Sequence, residues 1–316
     1  MAIEIMGLGW HVRFVPASLM DVMSDFYVKT LGVPRSGKMR HADGYAEQKD
    51  YLWGGENIIM NHNYGGEDVA VSPREADPEA ARQVPLFRVG ALDSIVEGLR
   101  ANGLPVLDPG PCFGGREAFV VDPMGMLLGL RQCDADSPLA QDREATRRRL
   151  RGEAFNPGCV SLPSDWQEIG WIRIRAADLP ALIGFYRDVM GFPLVAKAPG
   201  HALFDIGDNT LLELAPGGIS RPAPKAQMAS LAAMILRVVS VPRVVEFLRP
   251  RGVHFVHEMF SPARGNLTYI ADPEGNVIGF TDRLHPGAYV DKMPVYPEDI
   301  EAQRRWVEAS AGAARR

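Results

Sequence analysis

Three cysteines in 316 residues, Cys112, Cys133 and Cys159, are too few and too scattered for a disulfide framework or a cysteine-built zinc site. No apolar run approaches the roughly 18 residues of a membrane span, and no charged-then-apolar leader pattern opens the chain. Basic charge is not in excess: the net charge is -5 and the pI about 5.8, which gives no reason to expect nucleic acid or an anionic membrane as partner. The one local exception, REATRRRLR from Arg143 to Arg151, reads as a solvated helical linker face. No glycine-rich phosphate loop precedes a helix, since the GG pairs beginning at Gly54, Gly65, Gly114 and Gly217 sit at turns. These absences predict a soluble, cytoplasmic protein in a reducing setting, with no nucleic-acid or membrane partner.

What is present is a duplication. WHVRFVPASLMDVMSDFYVKTLGV near the N-terminus is matched by WIRIRAADLPALIGFYRDVMGF from Trp171, each an alternating strand, a turn and an amphipathic helix stopping at glycine. The blocks FYVKTLGV (from Phe26) and FYRDVMGF (from Phe185) align without a gap, as do DPMGMLLGL from Asp122 and DPEGNVIGF from Asp272. With 46% hydrophobic residues the chain can bury one large core or two ordinary ones, and the duplication favours two. The predicted order is β-α-β-β-β, four times over, an α+β fold in which βαβββ units curl into half-barrels and pair around concave pockets. Expected boundaries are a first domain over 1–133, a charged and Pro-containing linker over 134–165, a second domain over 166–285, and a tail over 286–316 with a short helix.

This arrangement, with its FYxxxLG-like helix ends and DPxG blocks, resembles the vicinal oxygen chelate superfamily of glyoxalases, bleomycin-resistance proteins and extradiol dioxygenases. The resemblance covers about residues 7 to 133 and 168 to 283, and implies two paired half-barrel domains. In that superfamily a metal is held by fixed strand positions, which here fall on His11, Asn61, Trp171, Glu213, Val84, Gly129, Ala233 and Gly279. A divalent ion wants three or four converging N/O ligands, and no pairing of units collects them. The resemblance therefore implies a depleted metal site and no cofactor. The alternative is iron, manganese or zinc on an atypical set including His11 and Glu213.

Strand alternation places further candidates on the faces that line the cups. In the second half His201 and Asp205 join Glu213, Trp171, Arg173 and Arg175, either as proton-transfer groups or as an ion-paired sheet face. In the first half Lys49, Tyr51 and Trp53 share the face of Asn61, near His11 and Arg13. Arg88 and Arg237 occupy matched inward positions suited to a carboxylate or phenolate. Cys112 has no histidine placed by spacing to activate it.

The expected function is acid/base chemistry on a small anionic or aromatic organic molecule, of lyase or isomerase type, with His11, Glu213 and His201 as catalytic groups. A ligand-sequestering protein of the bleomycin-resistance kind and a metal-dependent glyoxalase or dioxygenase are the alternatives, and the fold does not choose among them. The residues leave open whether two chains form a homodimer.

Overall fold

The structure, a computed structural model, describes residues 3–31, 35–40, 47–54, 57–64, 71–135, 166–207, 210–225, 230–259 and 266–282. Residues 136–165 of the expected linker, the whole expected tail over 286–316 and the turn at Asp208-Asn209 lie outside them. Sixteen strands form two eight-stranded sheets among the described residues.

The first unit contributes β1 (Ile5–Phe14), β2 (Arg35–Arg40), β3 (Glu47–Gly54) and β4 (Asn57–Tyr64). The second contributes β5 (Gln83–Val89), β6 (Gly110–Cys112), β7 (Gly115–Val121) and β8 (Leu127–Cys133). The third gives β9 (Trp166–Ala176), β10 (Leu194–Ala198), β11 (His201–Asp205) and β12 (Leu211–Pro216). The fourth gives β13 (Ala232–Val238), β14 (His254–Met259), β15 (Leu267–Ala271) and β16 (Val277–Thr281). Each unit thus has four strands in the predicted βαβββ order, and the α+β architecture is as expected.

The sheets cut across the sequence halves. Their strand orders are β14-β15-β16-β13-β1-β4-β3-β2 and β10-β11-β12-β9-β5-β8-β7-β6. The first sheet therefore joins units one and four through the antiparallel pair β1–β13, and the second joins units two and three through β5–β9. The division into 1–133 and 166–285 is a division of the sequence, while every sheet takes four strands from each side of it.

Helices lie on one face of each sheet. Short α1 (Met20–Asp25) and α3 (Leu179–Gly184) both widen into five-residue π turns, Phe26–Thr30 and Phe185–Val189. Helices α2 (Leu92–Ala101) and α4 (Val241–Leu248) belong to the even units. In α4 the buried residues Val241, Val244, Val245 and Leu248 recur at helical spacing, and Ser240 caps its start by accepting from the backbone N–H of Arg243. Their apolar faces meet one continuous core that includes Val15, Met23, Tyr27, Phe87, Val96, Ile172, Tyr186, Met234, Leu248 and Ile278.

The repeated motifs have a shared structural purpose. Asp122 Oδ1 accepts the backbone N–H groups of Met124 and Met126, both at 2.9 Å, and Asp272 Oδ1 accepts those of Glu274 and Asn276, also at 2.9 Å. The glycine of each DPxG turn has φ +81°, where a Cβ is strained. The other carboxylate oxygen receives the tyrosine hydroxyl of an FY block: Tyr27 to Asp122 at 3.4 Å and Tyr186 to Asp272 at 3.0 Å. Tyr27 comes from the first sheet's helices and Asp122 from the second sheet's turn, whereas Tyr186 and Asp272 make the reverse connection. The two motifs are reciprocal ties between sheets. Burial pushes both tyrosines and both aspartates up from their ordinary pKa values, Asp272 to about 6.

Candidate functional site

The concave face of the second sheet is built by strand alternation. Trp171, Arg173 and Arg175 project from β9, Glu213 from β12, Val84, Leu86 and Arg88 from β5, Gly129 and Arg131 from β8, and Glu117 and Phe119 from β7. Register fixes the neighbours: Glu213 lies beside Arg173, Arg173 beside Val84, Arg88 beside Arg131, and Arg131 beside Glu117.

At its centre two guanidiniums and two carboxylates interlock. Arg131 Nη2 donates to Glu117 Oε2 and to Glu213 Oε2, both at 2.7 Å. Arg173 gives Glu117 two parallel bonds of 2.7 Å and reaches both oxygens of Glu213 at 3.3 and 3.2 Å. Because β9 and β7 are separated by β5 and β8, the Arg173–Glu117 pair spans the cup from wall to wall. Burial pushes the Glu213 carboxyl up, but Arg131, then Arg173 and His201, overcome it and hold the group well below the ordinary carboxylate range. Glu117 is likewise lowered by Arg131 and Arg173 against burial, and the two carboxylates raise both arginines. All four groups are charged at neutral pH.

His201 completes the cluster. Its Nδ1 is 3.0 Å from Glu213 Oε1. An ionised carboxylate only accepts, so the proton of this bond sits on Nδ1. The ring lies nearly parallel to Phe113, with centroids 6.1 Å apart at 14°. Access is graded: side-chain exposure is 28% for His201 and 11% for Glu117, but 2% or less for Arg173, Arg131 and Glu213. The guanidiniums of Arg88 and Arg131 lie over the Trp171 ring, at 4.4 and 4.8 Å from its centroid.

The expected residues divide sharply against this geometry. Glu213, His201, Arg173, Trp171 and Arg88 are together. Glu213 is not the raised-pKa carboxylate that burial alone would make; Arg131, Arg173 and His201 keep it ionised at neutral pH. Arg175 sits at the sheet's end, bonded to the carbonyls of Pro78 and Pro216 and to Glu79. Asp205 is exposed and caps its own turn through the N–H of Gly207. Arg237 belongs to the other sheet, beside Thr281. Cys112 is near the arginines, but burial pushes its thiol up to about 12, which leaves no thiolate.

His11 and Arg13 do not join the site. They pair in register with Met234 and Ala232, which belong to the helix-side core, so their side chains face the helices. Arg13 donates to the carbonyl of Leu127 and to Met126 Sδ, and lies 4.0 Å from Asp122. His11 is fully buried, and burial, then Arg13, lowers it well below the ordinary histidine value, against a weak raising contact with Gln83. Its two ring nitrogens, like Gln83 Oε1, meet no hydrogen-bond partner of good geometry among the described residues. Beyond the register shifts at Ile5/Gly7 and Leu8/Trp10, Trp10 pairs with Ile235 and Val12 with Ala233, and by alternation the inward face is Trp10, Val12 and Phe14.

The same register corrects the third-strand assignment. Asn61 stands opposite Arg13, and Met60 opposite Val12 is the true counterpart of Glu213. The side chains of Lys49, Tyr51, Trp53, Asn61 and His62 lie outside the described residues. Carrying the comparison around the first sheet, the counterparts of Arg173, Glu213, Arg131 and Glu117 are Val12, Met60, Thr281 and Leu267. At these four register positions the first sheet has no copy of the charged cluster, and the second sheet's cup is the candidate site. Glu117 and Arg131 were absent from the sequence candidates; Arg131 is two residues beyond Gly129 on the same face, a position the alternation of LLGLRQC points to.

A resident divalent ion would need three or four converging N/O ligands. Among the described residues no three His, Cys, Asp or Glu groups form a metal-holding cluster. The oxygens of Glu117 and Glu213 are taken by guanidinium and imidazole hydrogens, so the cup as built does not fit a divalent ion. The glycines at the other implied ligand positions have a packing reason. A Cβ on Gly129 would lie 2.7 Å from Leu86 Cγ, and one on Gly279 would collide with Ile235 Cδ1.

Residues 168–280 match the family model of the Glyoxalase/Bleomycin resistance protein/Dioxygenase superfamily. The whole chain shares its fold with solved structures. A Bacillus subtilis protein described as a candidate dioxygenase is 14% identical, with a TM-score of 0.64, covering 98% of this chain and 97% of that one. Glyoxalase I from Zea mays is 18% identical, with a TM-score of 0.56, covering 87% of this chain and 92% of its own. No curated protein matches the sequence. Among the described residues no helix is long and apolar enough to cross a membrane.

Proposed function

We propose that this protein moves a proton on a small anionic or aromatic organic molecule, in the manner of a lyase or isomerase, with His201 as the proton-handling group. The observation that carries this reading is the His201–Glu213 pair at 3.0 Å. A buried carboxylate that stays ionised fixes the imidazole tautomer and stabilises the imidazolium that forms when the other nitrogen takes a proton. Glu213 is thus a positioning residue and His201 the base. The C–H electron pair released by proton removal next to a carbonyl passes into an enolate, and the same histidine returns the proton at a second site or to a leaving group. Arg131 Nη1 and Trp171 Nε1 have no hydrogen-bond partner among the described residues, which supports an oxygen-bearing ligand on this face. Phe113, stacked on His201, suits a planar one.

The test is solvent-deuterium exchange, followed by proton NMR, over a panel of 2-oxo carboxylates and aryl ketones that bind with tryptophan quenching. At least one should exchange, and His201→Gln should slow it by about 100-fold or more, the usual contribution of general acid–base catalysis. Binding without exchange across the panel would favour a ligand-sequestering protein and overturn the proposal, as would exchange that survives His201→Gln.

A further inference from the structure

The central cluster of the second sheet's cup is charge-balanced in an informative way. Two carboxylates, Glu117 and Glu213, converge on Arg131 Nη2 at 2.7 Å each, and Arg173 Nη2 lies 2.7 and 3.2 Å from the same two oxygens. His201 is bonded to the other oxygen of Glu213. Two carboxylates and an imidazole are a donor set that suits manganese, iron or zinc. Here the positive charge at their meeting point is covalently attached: two guanidiniums supply the +2 that one divalent cation would supply.

We infer that Arg131 and Arg173 together fill the seat of a divalent cation, so that the cup carries a fixed counter-charge, and that removing both opens a latent metal site on Glu117, Glu213 and His201. Single removal is not enough. With Arg131 gone, Arg173 still stands within hydrogen-bond distance of both carboxylates and repels an incoming ion. With both gone, two buried carboxylates face each other at high electrostatic cost, and a divalent ion restores neutrality. Metal–oxygen bonds are shorter than the 2.7 Å contacts by about half an ångström, a gap closed by rotation of carboxylates no longer held by guanidinium. The inference rests on charge and geometry alone and stands apart from the proton-transfer reading.

Titration of Mn(II) and Zn(II), by calorimetry and by electron paramagnetic resonance for manganese, compares the wild-type chain with Arg131→Met/Arg173→Met. The wild type should take up no stoichiometric ion, and the double variant one per chain, at least about tenfold tighter than any wild-type binding. Adding Glu213→Gln to the double variant should abolish the uptake. If the double variant does not fold alone, either metal should restore its near-ultraviolet circular dichroism and raise its melting temperature, because an ion that binds only the folded chain stabilises it. One equivalent of metal bound by the wild type, or a double variant that neither binds metal nor is rescued by it, would overturn the inference.

Discussion

Replacing Glu213 by Gln should destabilise the chain far more than a single lost hydrogen bond. The substitution preserves shape and removes one charge. It leaves Arg131 and Arg173, both buried, sharing Glu117 alone, where before each of them also met Glu213 at 2.7 to 3.3 Å. Breaking a buried ion pair by deleting one partner costs about 3–5 kcal/mol, because the survivor keeps its desolvation penalty. At about 2–3 °C per kcal/mol for a protein of this size, the melting temperature should fall by roughly 6–15 °C. Urea unfolding at pH 7 followed by tryptophan fluorescence is the assay, since Trp171 sits against the cluster. The sign with pH is fixed. Glu213's folded pKa lies below its unfolded one, so its stabilisation is present above the unfolded value and is lost as pH falls toward the folded value. The gap between wild type and Glu213→Gln should therefore be full at pH 7 and shrink on acidification below about pH 4.5, the ordinary glutamate range. A loss under about 1 kcal/mol at pH 7, or a gap that widens with acid, would refute the claim that this carboxylate neutralises the two arginines.

The inter-sheet ties give a second expectation: Tyr186→Phe should cost about 1–2 kcal/mol and Tyr27→Phe less, the bonds being 3.0 and 3.4 Å, as measured by denaturant unfolding. Asp272 behaves oppositely to Glu213. Its folded pKa is raised to about 6, so its favourable contribution is complete below the unfolded value and is lost as pH rises through about 6. Unfolding at pH 4.5 and 7.5 should show Asp272→Asn gaining on wild type by about 2 kcal/mol across that interval. Gly129→Ala should cost about 1–3 kcal/mol by overpacking against Leu86, read as a lower urea midpoint at unchanged slope. Disrupting the exposed Arg116–Asp93 pair should leave that midpoint where it was.

The fold was legible because its repeats are structural. Phe-Tyr at the helix ends and Asp-Pro-x-Gly at the turns recur since each tyrosine bonds to one of those aspartates, and that constraint leaves a pattern in sequence. Strand pairing between units leaves none: the β1–β13 and β5–β9 edges meet through backbone groups, and nothing in Val12 or Ala233 announces its partner. The count back from Phe26 falls on Val12, and moving it to His11 for the extra turn residue in VPAS put His11 inward. The pairing of Val12 with Ala233 shows that the unshifted count marks the inward residue. Glu213, His201 and Arg173 were found because they share one hairpin and its parallel neighbour. Arg131 and Glu117 come from the opposite wall and a different unit, so their meeting with Glu213 is visible only once the cup is closed.

The most direct test of the account is the tautomer of His201, read from long-range proton–nitrogen correlation on protein labelled at histidine and assigned with His201→Gln. Where the ring is neutral, the proton should reside on Nδ1, with Nε2 free to accept, and Glu213→Gln should remove that preference. A wild-type His201 carrying its proton on Nε2 would contradict the account.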